Sequence, residues 1–372
     1  MDTIEQRTGW VIRQAECCTE CGLCLDSCPT YKATQEILFS PMQRLKTAAA
    51  VCDNQEIRPE QLESMYNCPK CMRCEAACPE KIDIVRVVHT AREKIAERGL
   101  GPSDRHNAVI DNILATGNAV NGDPGKRLDW LPEPFPDHES DTLLFLGCLP
   151  SYLVKEAARS SYLVLKKLGY DFMILQDEGC CGTYLYESGR TDLAKELFQK
   201  NAERFASLGI KKIVVPCNGC LKCFKYFYPE LLGETGFSVQ HVVEAIRPLL
   251  AENRDALKKL GKTVTYQDPC RLARGEKMCS EPREILTMCG LDLEEMDHSG
   301  EDALCCGAGG GIRSVYRKLS LELAGKLLEE VKTDTLVSTC PFCTFNLNFA
   351  SSRKKMDREV VYFTSFVLEA LS

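Results

Sequence analysis

The sequence predicts a helical, cysteine-rich N-terminal domain followed by two tandem α/β domains, each built on a parallel sheet. Three observations lead there. A five-cysteine pattern occurs twice, as Cys148, Cys180-Cys181-Gly182, Cys217 and Cys220, then as Cys270, Cys305-Cys306-Gly307, Cys340 and Cys343. Matching cysteines lie 122 to 125 residues apart, which marks an internal duplication. Within each copy, short apolar runs lead into the cysteines and alternate with amphipathic stretches, as parallel α/β units do. The first hundred residues lack that alternation and read as helices around two tight cysteine loops.

In chain order, residues 1–16 form a short amphipathic lead-in, with Trp10 a packing residue. Cys18, Cys21, Cys24 and Cys28-Pro29 follow, and a near copy stands at Cys68, Cys71, Cys74 and Cys78-Pro79. This is the C-x2-C-x2-C-x3-C-P run of two-cluster ferredoxins, in which the fourth cysteine serves the other cluster. On that logic Cys18, Cys21, Cys24 and Cys78 hold one [4Fe–4S] cluster, and Cys68, Cys71, Cys74 and Cys28 hold the second. The two prolines end each loop by fixing φ and removing a donor. Cys17 reads as a buried bystander, because the register of the second run selects Cys18. Cys52 falls outside every pattern and reads as a small core residue.

The spacer 29–67 and the stretch 81–99 have helical spacing, with Gly99 and Gly101 as stops. An α-helical ferredoxin domain therefore covers 1–116. Residues 117–141 are rich in Gly, Pro, Asn and Asp and read as a linker, pinned to the body by Trp130 and Phe135. The first cysteine-rich α/β domain then spans 142–260 and the second 261–372.

In the first α/β domain, strands are expected at 142–148, 171–175 and 211–217, with helices over 152–169 and 192–209. In the second, runs at 262–270, 291–296 and 334–340 repeat the order. The cysteines follow the strands, and in parallel sheets sites form at the carboxyl ends of strands. Gly182 and Gly307, each directly after a cysteine pair, let the backbone bend and come close to a cluster. The run Gly307-Ala308-Gly309-Gly310-Gly311 has neither dinucleotide nor P-loop spacing and is assigned to close packing. Cys223, Cys279 and Cys289 lack repeat partners and read as structural thiols.

Composition narrows the chemistry. The chain of 372 residues has a net charge of −7, 44% hydrophobic and 27% charged residues, and no long basic run, which argues against nucleic acid as a partner. Arg353-Lys354-Lys355 reads as a solvated turn. The N-terminus has no apolar signal core, so export and a disulfide framework are not expected for the 23 cysteines. No run approaches the ~18 apolar residues of a membrane span. His89, His106, His138, His241 and His298 are scattered, and none has zinc-ligand spacing with a cysteine pair. Iron–sulfur chemistry is favoured over zinc.

The doubled pattern resembles the Cys-Cys-Gly (CCG) cysteine-rich module of heterodisulfide reductase catalytic subunits. Its fusion to a two-cluster ferredoxin domain resembles the D-type subunit of the membrane-linked enzyme, over residues 15–372. That resemblance implies two tandem CCG domains, each holding a noncubane [4Fe–4S] cluster through five thiolates. One would use Cys148, Cys180, Cys181, Cys217 and Cys220, and the other Cys270, Cys305, Cys306, Cys340 and Cys343. It further implies reductive cleavage of a disulfide between these clusters, fed by the two cubane clusters, in anaerobic, methanogenic metabolism. The family's substrate is the mixed disulfide of coenzymes M and B, which is anionic. Arg271 and Arg274, with Lys277, Lys222 and Lys225, are the candidates for steering it.

The sequence carries no flavin or nicotinamide motif, so electrons are expected from another subunit of a complex, a b-type cytochrome or a flavoprotein. The expected location is cytoplasmic, at the membrane only through such a partner. The competing expectation is an electron-relay subunit of a quinone-linked, lactate- or glycolate-type, or bifurcating dehydrogenase.

Overall fold

The computed structural model describes residues 4–372. The N-terminal part is helical, as expected. Helices Ile4–Glu16, Pro41–Cys52, Pro59–Tyr66 and Ile84–Glu97 pack around Val11, Leu45, Val51, Met65, Val87 and Ile95. Local chemistry sets their starts. Ser40 accepts a hydrogen bond from Gln43 N with Pro41 in the first turn, and Asp83 accepts one from Arg86 N.

Each cysteine run closes on one short turn of helix, Leu23–Ser27 or Arg73–Ala77. The two loops share an unusual backbone. Glu20 and Gly22 in the first, and Lys70 and Met72 in the second, all have φ between 54° and 80°. For three non-glycine residues this left-handed conformation costs about 1–2 kcal/mol each. Such strain collects at functional loops.

The α/β part contains two parallel sheets. The first has β1 (Thr142–Leu144), β2 (Lys212–Val215) and β3 (Ser238–His241) in the order β1-β2-β3. The second has β4 (Lys262–Gln267), β5 (Leu291–Glu294), β6 (Thr335–Ser338) and β7 (Glu359–Tyr362) in the order β5-β4-β6-β7. Residues 171–175, expected as a strand, form only a single parallel bridge from Met173 to Leu143, on the free side of β1. This is the position of β5 in the second sheet, so the two copies share one strand order. An edge segment with one neighbour makes two ladder bonds here, Leu144 N to Met173 O and Met173 N to Thr142 O.

Three further expectations change. β3 and β7 were not foreseen, because four-residue edge strands with little alternation carry a weak pattern. Phe135 does not pin the linker: it is 41% exposed, between Pro134 and Pro136, whereas Trp130 is buried edge-on against Tyr162. Cys17, expected to be buried, is exposed just past the first helix, whereas Cys52 lies in the helical core as expected.

The two α/β copies pack on each other through helices. Ser160 Oγ and Thr364 Oγ1 meet at 2.6 Å between helices Lys155–Lys167 and Thr364–Ala370. His241 Nε2 and Tyr362 Oη, which end β3 and β7, both reach the carbonyl of Pro216, at 3.2 and 2.7 Å. Burial lowers the His241 imidazole to about 4, so it remains neutral there.

The glycine run packs against the helical part. A Cβ on Gly309 would lie 2.8 Å from Pro69 O, and one on Gly310 2.2 Å from Cys68 O. Gly310→Ala is therefore expected to add an overpacking penalty of about 1–3 kcal/mol to the strain of positive φ. Gly209→Ala, at φ 71° with open space around it, should show only the strain. Anaerobic chemical unfolding of the two variants checks this; equal losses would refute the close-contact account.

Candidate functional site

Eight cysteines of the helical part line two cavities. Cys18, Cys21, Cys24, Cys74 and Cys78 line one. Cys28, Cys68, Cys71 and Cys74 line the other. The fourth cysteine of each run thus faces the cavity of the other. The residues around the second cavity are tightly held. Arg44 is buried and donates to Cys28 Sγ at 3.6 Å, Thr30 Oγ1 at 2.9 Å and Asn67 Oδ1 at 2.6 Å.

The ten remaining motif cysteines form two baskets at the carboxyl ends of the strands. In the first, thiol contacts run from Cys148 to Cys180, Cys181, Cys220 and Cys217, with Cys220 Sγ 3.4 Å from Cys181 Sγ. In the second they run in the same order from Cys270 to Cys305, Cys306, Cys343 and Cys340, with Cys343 Sγ 3.1 Å from Cys306 Sγ. Gly182 N donates to Cys180 Sγ, and Gly307 N to Cys305 Sγ. These glycines have φ of 83° and 76°, and a side chain would collide with Phe198 in one copy and Ser320 O in the other. These glycines thus also pack closely against the helices Thr191–Ser207 and Arg317–Leu328.

All 23 cysteines are free thiols. Among the described residues no three Cys, His, Asp or Glu side chains converge on one point, as a single ion requires. Thiols lining a space, with backbone N–H groups aimed at sulfur, suit a multi-iron cluster.

Cys223 has a partner in the duplication after all. It stands where the second copy has Asn346, and both make the same bond. Cys223 Sγ donates to Cys181 O at 3.1 Å, and Asn346 Nδ2 donates to Cys306 O at 2.7 Å. Cys289 is fully buried, while Cys279 is only half-buried.

A buried charge cluster lies between the baskets. Arg271 Nη2 donates to both carboxylate oxygens of Glu187, at 2.7 and 2.6 Å. Burial pushes the Glu187 carboxyl up, but Arg271, Lys70 and Lys222 outweigh it and hold it down at about 2. Arg271 also feels Cys270 of one basket and Cys217 of the other. Arg274 is engaged elsewhere, donating to the carbonyls of Cys71, Glu301 and Ala303. Lys225 and Lys277 pair with Glu276 and Glu301. Lys222 lies over the Phe227 ring, 5.3 Å from its centre, and burial lowers its pKa. Glu187 and Lys70 have no sequence signal, since they sit outside every motif's ligand positions. The helical part meets the second basket directly. A hydrogen bond with Cys305 is the main reason that the Cys71 thiol is lowered to about 6.

Comparison with known proteins agrees with this layout. A 4Fe-4S dicluster domain model matches residues 14–82, and a cysteine-rich domain model matches 142–225 and 264–348. The chain is 32% identical to the D subunit of the dihydromethanophenazine:CoB–CoM heterodisulfide reductase of Methanosarcina mazei, over 97% of this chain and 95% of that one. It is 25% identical to a probable glycolate oxidase iron-sulfur subunit of Bacillus subtilis, over 95% of this chain and 93% of that one. A solved hypothetical protein from Helicobacter pylori shares the fold at a TM-score of 0.54 and 14% identity, covering 90% of this chain and 68% of that one. Among the described residues no helix is long and apolar enough to cross a membrane.

The equivalence of Cys223 and Asn346 is testable. Asn346→Leu leaves the Cys306 carbonyl and the buried Ser320 hydroxyl unpaired and should cost about 1–3 kcal/mol for each. Asn346→Cys restores the donor to Cys306 and should recover that part of the loss in anaerobic denaturation. Equal destabilisation by both variants would contradict the shared role.

Proposed function

The chain belongs to the D-type family of heterodisulfide reductase iron–sulfur subunits, and from that premise we propose that it reduces a disulfide. The substrate is the coenzyme M–coenzyme B heterodisulfide or a close analogue. The observation that carries this reading is the pair of five-thiol baskets, complete in both copies, joined in one order and separated by Arg271 and Glu187.

Cys18, Cys21, Cys24 and Cys78 would hold one cubane [4Fe–4S] cluster, and Cys28, Cys68, Cys71 and Cys74 the other. Each basket would hold one noncubane [4Fe–4S] cluster. Bound clusters supply single electrons, and cleavage consumes two of them with two protons: RSSR′ + 2e⁻ + 2H⁺ gives RSH + R′SH. The protein's own groups do the positioning. Glu187 fixes the Arg271 guanidinium between the baskets, where its charge can orient an anionic disulfide. Arg274, with its donors on three carbonyls, holds the Cys71 loop against the second basket. The contact of Cys71 with Cys305 supports a single electron-transfer unit. Electrons come from a partner subunit, a b-type cytochrome or a flavoprotein.

Turnover tests the reading. Protein purified without oxygen is given reduced viologen and the heterodisulfide, and viologen oxidation is followed by absorbance. Disulfide-dependent oxidation that is lost in Cys181→Ala or Cys306→Ala is expected. No turnover from a fully iron-loaded preparation would favour an electron-relay subunit of a larger dehydrogenase.

The anion-steering role has its own test. Glu187→Gln/Arg271→Gln removes the two paired charges together, and Lys70 keeps its bond to the carbonyl of residue 187. It should raise KM about tenfold, the loss of one charge-assisted hydrogen bond, and leave kcat nearly unchanged. An unaltered KM would remove Arg271 from substrate binding.

A further inference from the structure

The two baskets match in their thiols and differ in what surrounds them. In the first copy, Asn218 stands between Cys217 and Cys220 and is 1% exposed. Neither its Nδ2 nor its Oδ1 has a hydrogen-bond partner. Thr183, two residues after Cys181, has a buried hydroxyl that is equally without a partner. Buried polar side chains are almost always paired, and leaving one unpaired costs about 1–3 kcal/mol. The two donors among them, Asn218 Nδ2 and the Thr183 hydroxyl, therefore point to an acceptor beside this basket.

Both orphans are local to Cys217. A Cβ built on Gly219, next to Asn218, would lie 3.6 Å from Cys217 Sγ, 3.9 Å from Thr183 Cγ2 and 3.1 Å from Arg271 Nη1. The backbone N–H groups of Gly219 and Cys220 already bond to the Cys217 thiol. Donors thus converge on sulfur from both backbone and side chain. At the matching positions of the second copy stand Pro341 and Ala308, which offer no side-chain donor. Charge does not separate the baskets in this way: Arg271 is near both, and each has one further arginine, Arg127 beside Cys148 and Arg274 beside Cys270.

We propose that Asn218 and Thr183 donate hydrogen bonds to sulfur of a cluster in the first basket, which makes the two five-cysteine centres inequivalent. This rests on the cluster assignment above. An amide N–H and a hydroxyl can both act as donors to sulfur. Such bonds stabilise the reduced, more negative cluster and raise its potential. The first centre therefore holds an electron more readily than it would with apolar neighbours. Asn218 and Thr183 are positioning residues in this account.

The test is a potentiometric titration of the full chain, purified without oxygen and followed by electron paramagnetic resonance. The variants are Thr183→Val, which is isosteric, and Asn218→Leu, with Asn218→Ser retaining a hydroxyl donor. Each of the first two should shift one five-cysteine centre to lower potential and leave the other three centres in place. The double variant should shift it further, and Asn218→Ser should recover part of the change. Thr183→Val conserves volume, so it stands as a test even where Asn218→Leu fails to fold. A parent protein without two five-cysteine centres would overturn the cluster assignment, and this inference with it. A parent with both centres, whose potentials are unmoved in iron-replete variants or move equally, would overturn this inference alone.

Discussion

One guanidinium holds the three parts of this chain together. Arg92 is fully buried, and it donates to the carbonyls of Met65, Tyr66 and Cys68 in the helical part. It donates also to Glu187 of the first α/β copy and Gly310 of the second. Burial lowers its pKa, yet arginine retains its charge in proteins. Five planar donors in a fixed fork can satisfy five carbonyls at once, which a lysine cannot do. Removing that side chain would strand several buried carbonyls on three sides. The arrangement of the cavities relative to the baskets depends on this contact.

The same logic recurs along the loop between Cys68 and Cys71. Arg92 holds the Cys68 carbonyl, Arg274 holds the Cys71 carbonyl, and Gly309 and Gly310 admit the backbone between them. Lys70, within this loop, donates to the Glu187 carbonyl. A cluster-binding loop with a strained backbone is thus locked from outside by the domain that it faces. Rigid positioning of this kind suits electron transfer, where small displacements of a centre change its coupling to the next.

The two baskets share one thiol order and differ in their surroundings. Replacements that preserve a bond were tolerated, as Cys223 and Asn346 show by donating to equivalent carbonyls. Other paired positions diverged in kind. Glu187, Lys222 and Asn218 in the first copy correspond to Ile312, Phe345 and Pro341 in the second, while Arg271 corresponds to Leu149. Most of the polar groups therefore lie on one side of the pseudo-twofold. The space between the baskets is therefore chemically asymmetric.

The cysteine layout, the helical first part, the parallel α/β copies and the family were all legible in the sequence. Cluster chemistry demands fixed residue types at fixed short spacings, and local spacing survives in a one-dimensional string. The left-handed backbone at Glu20, Lys70 and Met72 was not legible, because no glycine marks it. Nor were the edge strands β3 and β7, the exposure of Cys17, or the parallel bridge of Met173. The tertiary structure alone placed Arg92, Glu187 and Arg274, and brought Cys71 to Cys305. These contacts join residues about a hundred to more than two hundred positions apart. A buried charge is recognisable only by the partners that folding brings to it.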